Sequence, residues 1–92
     1  MGWNCLKIQA EMAIGQAENL INQATQQLQT KIKEKNLDER GIIQEALELA
    51  DKLLSESGLI SDWGVLAKAI DLFVKEVIKK AGLTDQVDLT QL

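Results

Sequence analysis

Apolar residues recur with a helical period along most of the chain, and three segments carry the pattern most clearly. The spacing predicts one long helix over residues 4–35, a second over 39–57 and a third over 62–81. We expect an all-α fold with a single domain over residues 1–92, in which an antiparallel two-helix hairpin packs on the long N-terminal helix as a three-helix bundle. The residues expected to be buried in the hairpin are Leu47, Leu54, Ile70 and Phe73.

Local signals mark where the predicted helices begin and end. Asn36 suits the left-handed position that closes the first helix, and Asp38 suits the N-cap of the second. Ser61 is the expected N-cap of the third helix, with Asp62 in its first turn. The remaining segment, residues 84–92, is predicted to be a short tail that docks through its apolar side chains.

The first predicted helix contains a seven-residue repeat. From residue 9 the chain reads QAEMAIG, QAENLIN and QATQQLQ, so apolar residues alternate at steps of four and three, as in a coiled-coil seam. Alanine at every second apolar position allows a facing helix to approach closely. This pattern fits both a helix within a bundle and a coiled coil between chains. The residues predicted to form a self-association seam are Ile14, Ala17, Ile21, Ala24 and Leu28.

The predicted helices differ in length. At 1.5 Å per residue the first is about 48 Å long, whereas the other two are about 28 and 30 Å. If the second helix packs along the C-terminal half of the first, residues 3–14 have no partner within the chain, although they are apolar on several sides. We therefore expect another subunit or protein to cover this segment, or the helix to fold back at Gly15. The predicted partner-facing residues are Trp3, Leu6 and Ile8.

Acidic residues lie on the second predicted helix, away from its apolar stripe. The net charge of the chain is −4, and between residues 36 and 58 six acidic residues outnumber two basic ones. This balance argues against general affinity for nucleic acid or anionic lipid, because both need clustered lysine and arginine. It allows an alternative function, an acidic helical inhibitor or antitoxin-like protein that binds a basic surface of a target. Its acidic face would consist of Glu45, Glu48 and Asp51.

The composition leaves few routes to catalysis. With no histidine and one cysteine, the 92 residues can form neither a histidine-based nucleophile system nor a disulfide within the chain. The paired carboxylates have no sequence neighbours that would dry a site and suit them to acid–base work. We expect no enzymatic activity, no cofactor and no metal. No apolar run reaches six residues, so we also expect a cytoplasmic protein that does not insert into a membrane by itself.

Two stretches of the sequence resemble one protein family. The segment AEMAIGQAENL at residues 10–20, and the hairpin from ALELA at 46–50 to IDLFVKE at 70–76, are similar to the soluble region of small phage holins of the LLH type. Those holins carry an N-terminal membrane helix, whereas polar and charged residues interrupt the segment before Gly15 here, so membrane permeabilisation does not carry over. The resemblance implies a phage- or prophage-encoded helical module that acts in assembly.

The predicted function is therefore a small soluble module for protein–protein interaction and assembly. We expect its partner to be another protein or a second copy of the chain, with a homo-oligomer as the leading possibility, and we expect it not to bind nucleic acid. Reversing the charges of the acidic face would separate the two hypotheses, because it would abolish binding to a basic target and leave self-association intact.

Overall fold

All regular secondary structure is helical in the part of the chain that the structure describes. The structure is a computed structural model, and it describes the backbone of residues 3–88 and the side chains of residues 7–88. The predicted all-α class is confirmed. The predicted bundle of three helices is not, because the described residues form four: α1 (Trp3–Gln16), α2 (Glu18–Lys35), α3 (Glu39–Ser57) and α4 (Trp63–Lys80).

The long helix predicted over residues 4–35 is divided at Ala17. The backbone of Ala17 has φ −97° and ψ 19°, and its N–H donates to the Ile14 carbonyl at 3.0 Å, three residues back instead of four. The Ile21 N–H donates to the Ala17 carbonyl at 2.9 Å, so the α-helical pattern resumes at once. The prediction of one continuous helix is therefore wrong, and the interruption falls two residues after Gly15, where a fold-back had been considered.

The last helix, α4, contacts all three of the others. Its beginning lies beside α1, because Val65 lines the same surface depression as Ala13. Its end lies beside α2, where Gln29 Nε2 donates to the Ala81 carbonyl at 3.3 Å. α4 therefore contacts the helices on both sides of the interruption at Ala17, while α3 packs on α2 and α4.

The N-terminal segment consequently has a partner within its own chain. α1 packs chiefly on α4, and Ala10 and Ala13 are buried. The expectation that residues 3–14 have no partner in the chain is wrong for this face of the helix. The two-helix hairpin does not lie wholly along the C-terminal half of the predicted first helix, because α4 begins beside α1.

Residues with the left-handed backbone conformation end two of the helices. Asn36 ends α2 with φ 56° and ψ 51°, and its N–H donates to the Ile32 carbonyl at 2.8 Å. Gly58 ends α3 with φ 70°, a conformation that glycine adopts without the steric cost of a Cβ atom. These residues turn the chain sharply enough for α3 and α4 to return along their neighbours.

The N-cap of α4 differs from the predicted one. Asp62, rather than Ser61, precedes the helix, and its Oδ1 accepts hydrogen bonds from the N–H groups of Gly64 at 2.8 Å and Val65 at 3.2 Å. A carboxylate in this position satisfies two free backbone donors and also interacts favourably with the helix dipole.

The core draws large aliphatic side chains and one phenylalanine from the helices and the tail. Of the four residues expected to be buried in the hairpin, Leu54 and Phe73 are buried and Ile70 is half-buried. Leu47 is 41% exposed, because it lies at the edge of the apolar stripe of α3. The largest fully buried side chains are Phe73, Leu28, Ile42, Leu54, Ile78, Val74, Val77 and Val87.

The predicted tail is described only as far as residue 88. Val87 is buried in the core cluster, and its N–H donates to the Leu83 carbonyl at 2.9 Å. The Asp88 N–H donates to Glu39 Oε2 at 3.0 Å and so ties the tail to the start of α3. Residues 89–92 lie outside the described residues.

Candidate interaction surface

The seam predicted for self-association lies inside the core of its own chain. Helices α3 and α4 pack against this side of α2, and the one seam residue that is not fully buried, Ile14, packs half-buried against the same cluster. Four of the five side chains have almost no accessible surface left in the folded chain, and self-association through this seam stays a prediction. The buried members are Ala17, Ile21, Ala24 and Leu28.

A different face of α1 carries exposed apolar side chains. Ile8 is 55% exposed and Met12 is 63% exposed. Because residues four apart are neighbours on a helix surface, the two side chains lie next to each other. The buried residues Ala10 and Ala13 fall on the opposite side, toward α4. This helix therefore presents apolar side chains both to the core and to solvent.

Gly15 lies on the same exposed side of α1. At about 100° per residue, Ile8, Met12 and Gly15 fall within about 60° of one another around the helix. A Cβ atom at Gly15 would meet no heavy atom within 4 Å, so no packing within the chain requires glycine at this position. We refer to these three residues as the outer face of α1.

The flanks of the outer face are polar and carry little net charge. Lys7 and Glu11 lie on one flank, and Gln9 and Gln16 lie on the other; all four are exposed. Neither Lys7 nor Glu11 forms an ion pair within the described part of the chain. An apolar centre with a polar rim is the usual composition of a protein–protein interface.

One of the three predicted partner-facing residues can be placed. Ile8 is exposed, whereas the side chains of Trp3 and Leu6 lie outside the described residues. Met12 was not among the predicted partner-facing residues, although its spacing of four residues from Ile8 places the two side chains on one face of a helix.

Other exposed apolar side chains lie on separate elements. Leu47 belongs to α3, Leu59 follows α3, and each is 41% exposed. Trp63 begins α4 and is 84% exposed. The exposure of Trp63 was not predicted, because the position of this residue just after the N-cap does not indicate whether its side chain faces solvent.

The predicted acidic face is only partly exposed to solvent. Glu45 is half-buried, and its Oε1 atom lies 3.8 Å from Lys35 Nζ. Glu48 and Asp51 are exposed, and Asp51 Oδ1 accepts a hydrogen bond from the Ser55 hydroxyl at 3.4 Å. One of the three carboxylates therefore already has a partner of opposite charge within the chain.

The described residues contain no group of three or more histidine, cysteine, aspartate or glutamate residues that could hold a metal ion. None of the helices among them combines the length and the apolar content needed to cross a bilayer.

Comparison of the chain with protein-family models, with curated proteins and with solved structures found no match in any of the three. The resemblance to LLH-type holins therefore stays a prediction.

Proposed function

We propose that this protein is a small helical module that joins a protein assembly through the outer face of α1. The observation that carries the proposal is the pair of large apolar side chains, Ile8 and Met12, exposed side by side on a helix whose opposite face is already packed. Complete burial of such a side chain is worth about 1.5–3 kcal/mol relative to full exposure. A partner that covers both would gain an appreciable part of that free energy.

The shape of the outer face also favours a helical or flat partner surface. Because Gly15 has no side chain and no neighbour within 4 Å of its Cβ position, another backbone can approach α1 closely there.

The polar surroundings indicate the class of partner. The rim provides one lysine, one glutamate and two glutamines, so it offers hydrogen bonds to a protein surface without a field that would attract phosphate groups. An assembly role agrees with what the resemblance to LLH-type holins implies. A phage or prophage origin and a cytoplasmic location stay predictions, as does the acidic-inhibitor alternative, to which the contact between Glu45 and Lys35 gives no support.

The test compares two double variants of the full-length chain. In the first, Ile8→Gln and Met12→Gln remove the apolar centre of the outer face. In the matched control, Leu47→Gln and Leu59→Gln remove two exposed leucines elsewhere. Sedimentation velocity over a wide range of protein concentration measures self-association, and affinity capture followed by binding of the purified partner measures association with another protein.

We expect the outer-face variant to lose association with the partner and the control to retain it, while circular dichroism shows helical content unchanged in both. A wild-type chain that neither self-associates nor binds a purified partner would contradict the proposal. So would association that survives the loss of Ile8 and Met12.

A further inference from the structure

We infer that Met12 is a reversible oxidation site, at which peroxide makes the outer face of α1 polar and weakens its hold on a partner. The inference rests on the proposed function and adds a chemical means of control to the same surface. The group that reacts is the thioether sulfur, the oxidant is hydrogen peroxide, and the product is methionine sulfoxide.

The side chain of Met12 is open to a small oxidant. It is 63% exposed, a larger fraction than the 55% of its neighbour Ile8. On its other side along the helix lies Gly15, which has no side chain and no heavy atom within 4 Å of its Cβ position. Peroxide therefore reaches the sulfur without any prior opening of the fold.

Oxidation of this sulfur is the transfer of one oxygen atom. The sulfur donates an electron pair to one oxygen of hydrogen peroxide, and the O–O bond breaks as the S–O bond forms. The proton of the transferred oxygen passes to the other one, which leaves as water, so the sulfur loses two electrons and the peroxide gains them. Methionine sulfoxide reductases, supplied with a dithiol that becomes a disulfide, restore the thioether and release the oxygen as water.

The new oxygen changes one of the two large apolar side chains of the outer face. A thioether is a weak hydrogen-bond acceptor and is buried at little cost, whereas a sulfoxide oxygen must give up bound water when a partner covers it. Ile8 has no group that reacts with peroxide, so part of the apolar centre remains. We expect the dissociation constant to rise by about tenfold or more, because a buried acceptor without a partner costs at least that much.

The fold does not depend on the side chain that is oxidised. The inner face of α1, formed by Ala10 and Ala13, is the one that packs toward α4, and Met12 lies on the other side. Oxidation of methionine disrupts a fold when the residue is in the core, but at an exposed position water solvates the new oxygen. The oxidised chain therefore keeps its helices, and weaker association does not result from unfolding.

The first experiment measures the accessibility of the sulfur in the full-length chain, at a concentration where it is monomeric. Hydrogen peroxide is added to the folded chain and to the chain unfolded in urea, and mass spectrometry follows the sulfoxide at Met12. Trypsin cleaves after Lys7, so Met1 and Met12 fall in different peptides. We expect similar rates in the two samples, and strong protection of Met12 in the folded monomer would overturn the inference.

The second experiment measures association before peroxide, after peroxide and after treatment with sulfoxide reductases. It compares the wild-type chain with Met12→Leu, by sedimentation velocity and by binding of the purified partner. For the wild type, the dissociation constant should rise by about tenfold or more and return on reduction. For Met12→Leu, the constants before and after peroxide should be equal. Because both chains keep Met1 and Cys5, the comparison isolates the sulfur of Met12.

The outcomes separate this inference from the proposed function. Equal association of the reduced and oxidised wild-type chains would overturn the oxidation site and leave the proposed function standing. An equal loss in Met12→Leu would also overturn it, because the effect would then come from Met1 or Cys5. A fall in helical content on oxidation would overturn it as well, since Met12 would then be packed. If the reduced wild type neither self-associates nor binds a purified partner, the proposed function fails and the inference fails with it.

Discussion

Small side chains determine how closely the helices of this protein pack. Ala10, Ala24 and Ala46, on three different helices, have no accessible surface. A buried methyl group allows two helix axes to approach, and close-packed interiors do not easily admit additional atoms. At these positions the size of the residue matters more than its hydrophobicity.

A substitution at Ala24 tests this role. Ala24→Leu adds three carbon atoms at a fully buried position, so we expect the free energy of unfolding to fall by about 1–3 kcal/mol in urea titrations. Ala67 is exposed on α4 and provides the control, since Ala67→Leu should change stability by no more than about 0.5 kcal/mol. Equal effects at the two positions would show that Ala24 does not face the core.

At the scale of helices, local sequence signals predicted the ends much better than the interruption. Asp38 accepts a hydrogen bond from the Gly41 N–H at 2.8 Å, and Gly58 closes α3 in the left-handed conformation, as their residue types indicated. Ala17 carries no such signal, because alanine favours a helix and the repeat continues through it. The nearest sequence signal is Gly15, two residues earlier, where a fold-back was considered; it indicates the region of the interruption but not the residue.

The start of α4 offers a test at this scale. Asp62→Ala removes the carboxylate that accepts from two backbone N–H groups, so we expect a loss of about 0.5–2 kcal/mol in the free energy of unfolding, measured in urea. Ser61→Ala should have almost no effect if Asp62 alone is the cap. A larger loss for Ser61→Ala would return the N-cap to the position predicted from the sequence.

For the whole molecule, helical periodicity identified which side chains are buried but not which chain buries them. Ile21, Ala24 and Leu28 were assigned to a seam between copies, and they lie instead under helices of the same chain. The position of α4 explains the difference, because this helix spans the interruption and covers parts of both α1 and α2. That arrangement depends on long-range packing, which a single sequence specifies only weakly.

The same arrangement leaves α1 with two different faces. The inner face is held on α4 through small side chains, and the outer face presents Ile8 and Met12 to solvent. The proposed association depends on this assignment of faces.

Urea unfolding of two single variants, at protein concentrations low enough to keep the chain monomeric, tests the assignment most directly. Ala10→Gln places a polar side chain at a fully buried position, so we expect a loss of about 1–3 kcal/mol. Ile8→Gln changes an exposed position and should alter stability by no more than about 0.5 kcal/mol. A large loss for Ile8→Gln together with an unchanged stability for Ala10→Gln would reverse the two faces of α1 and contradict the account.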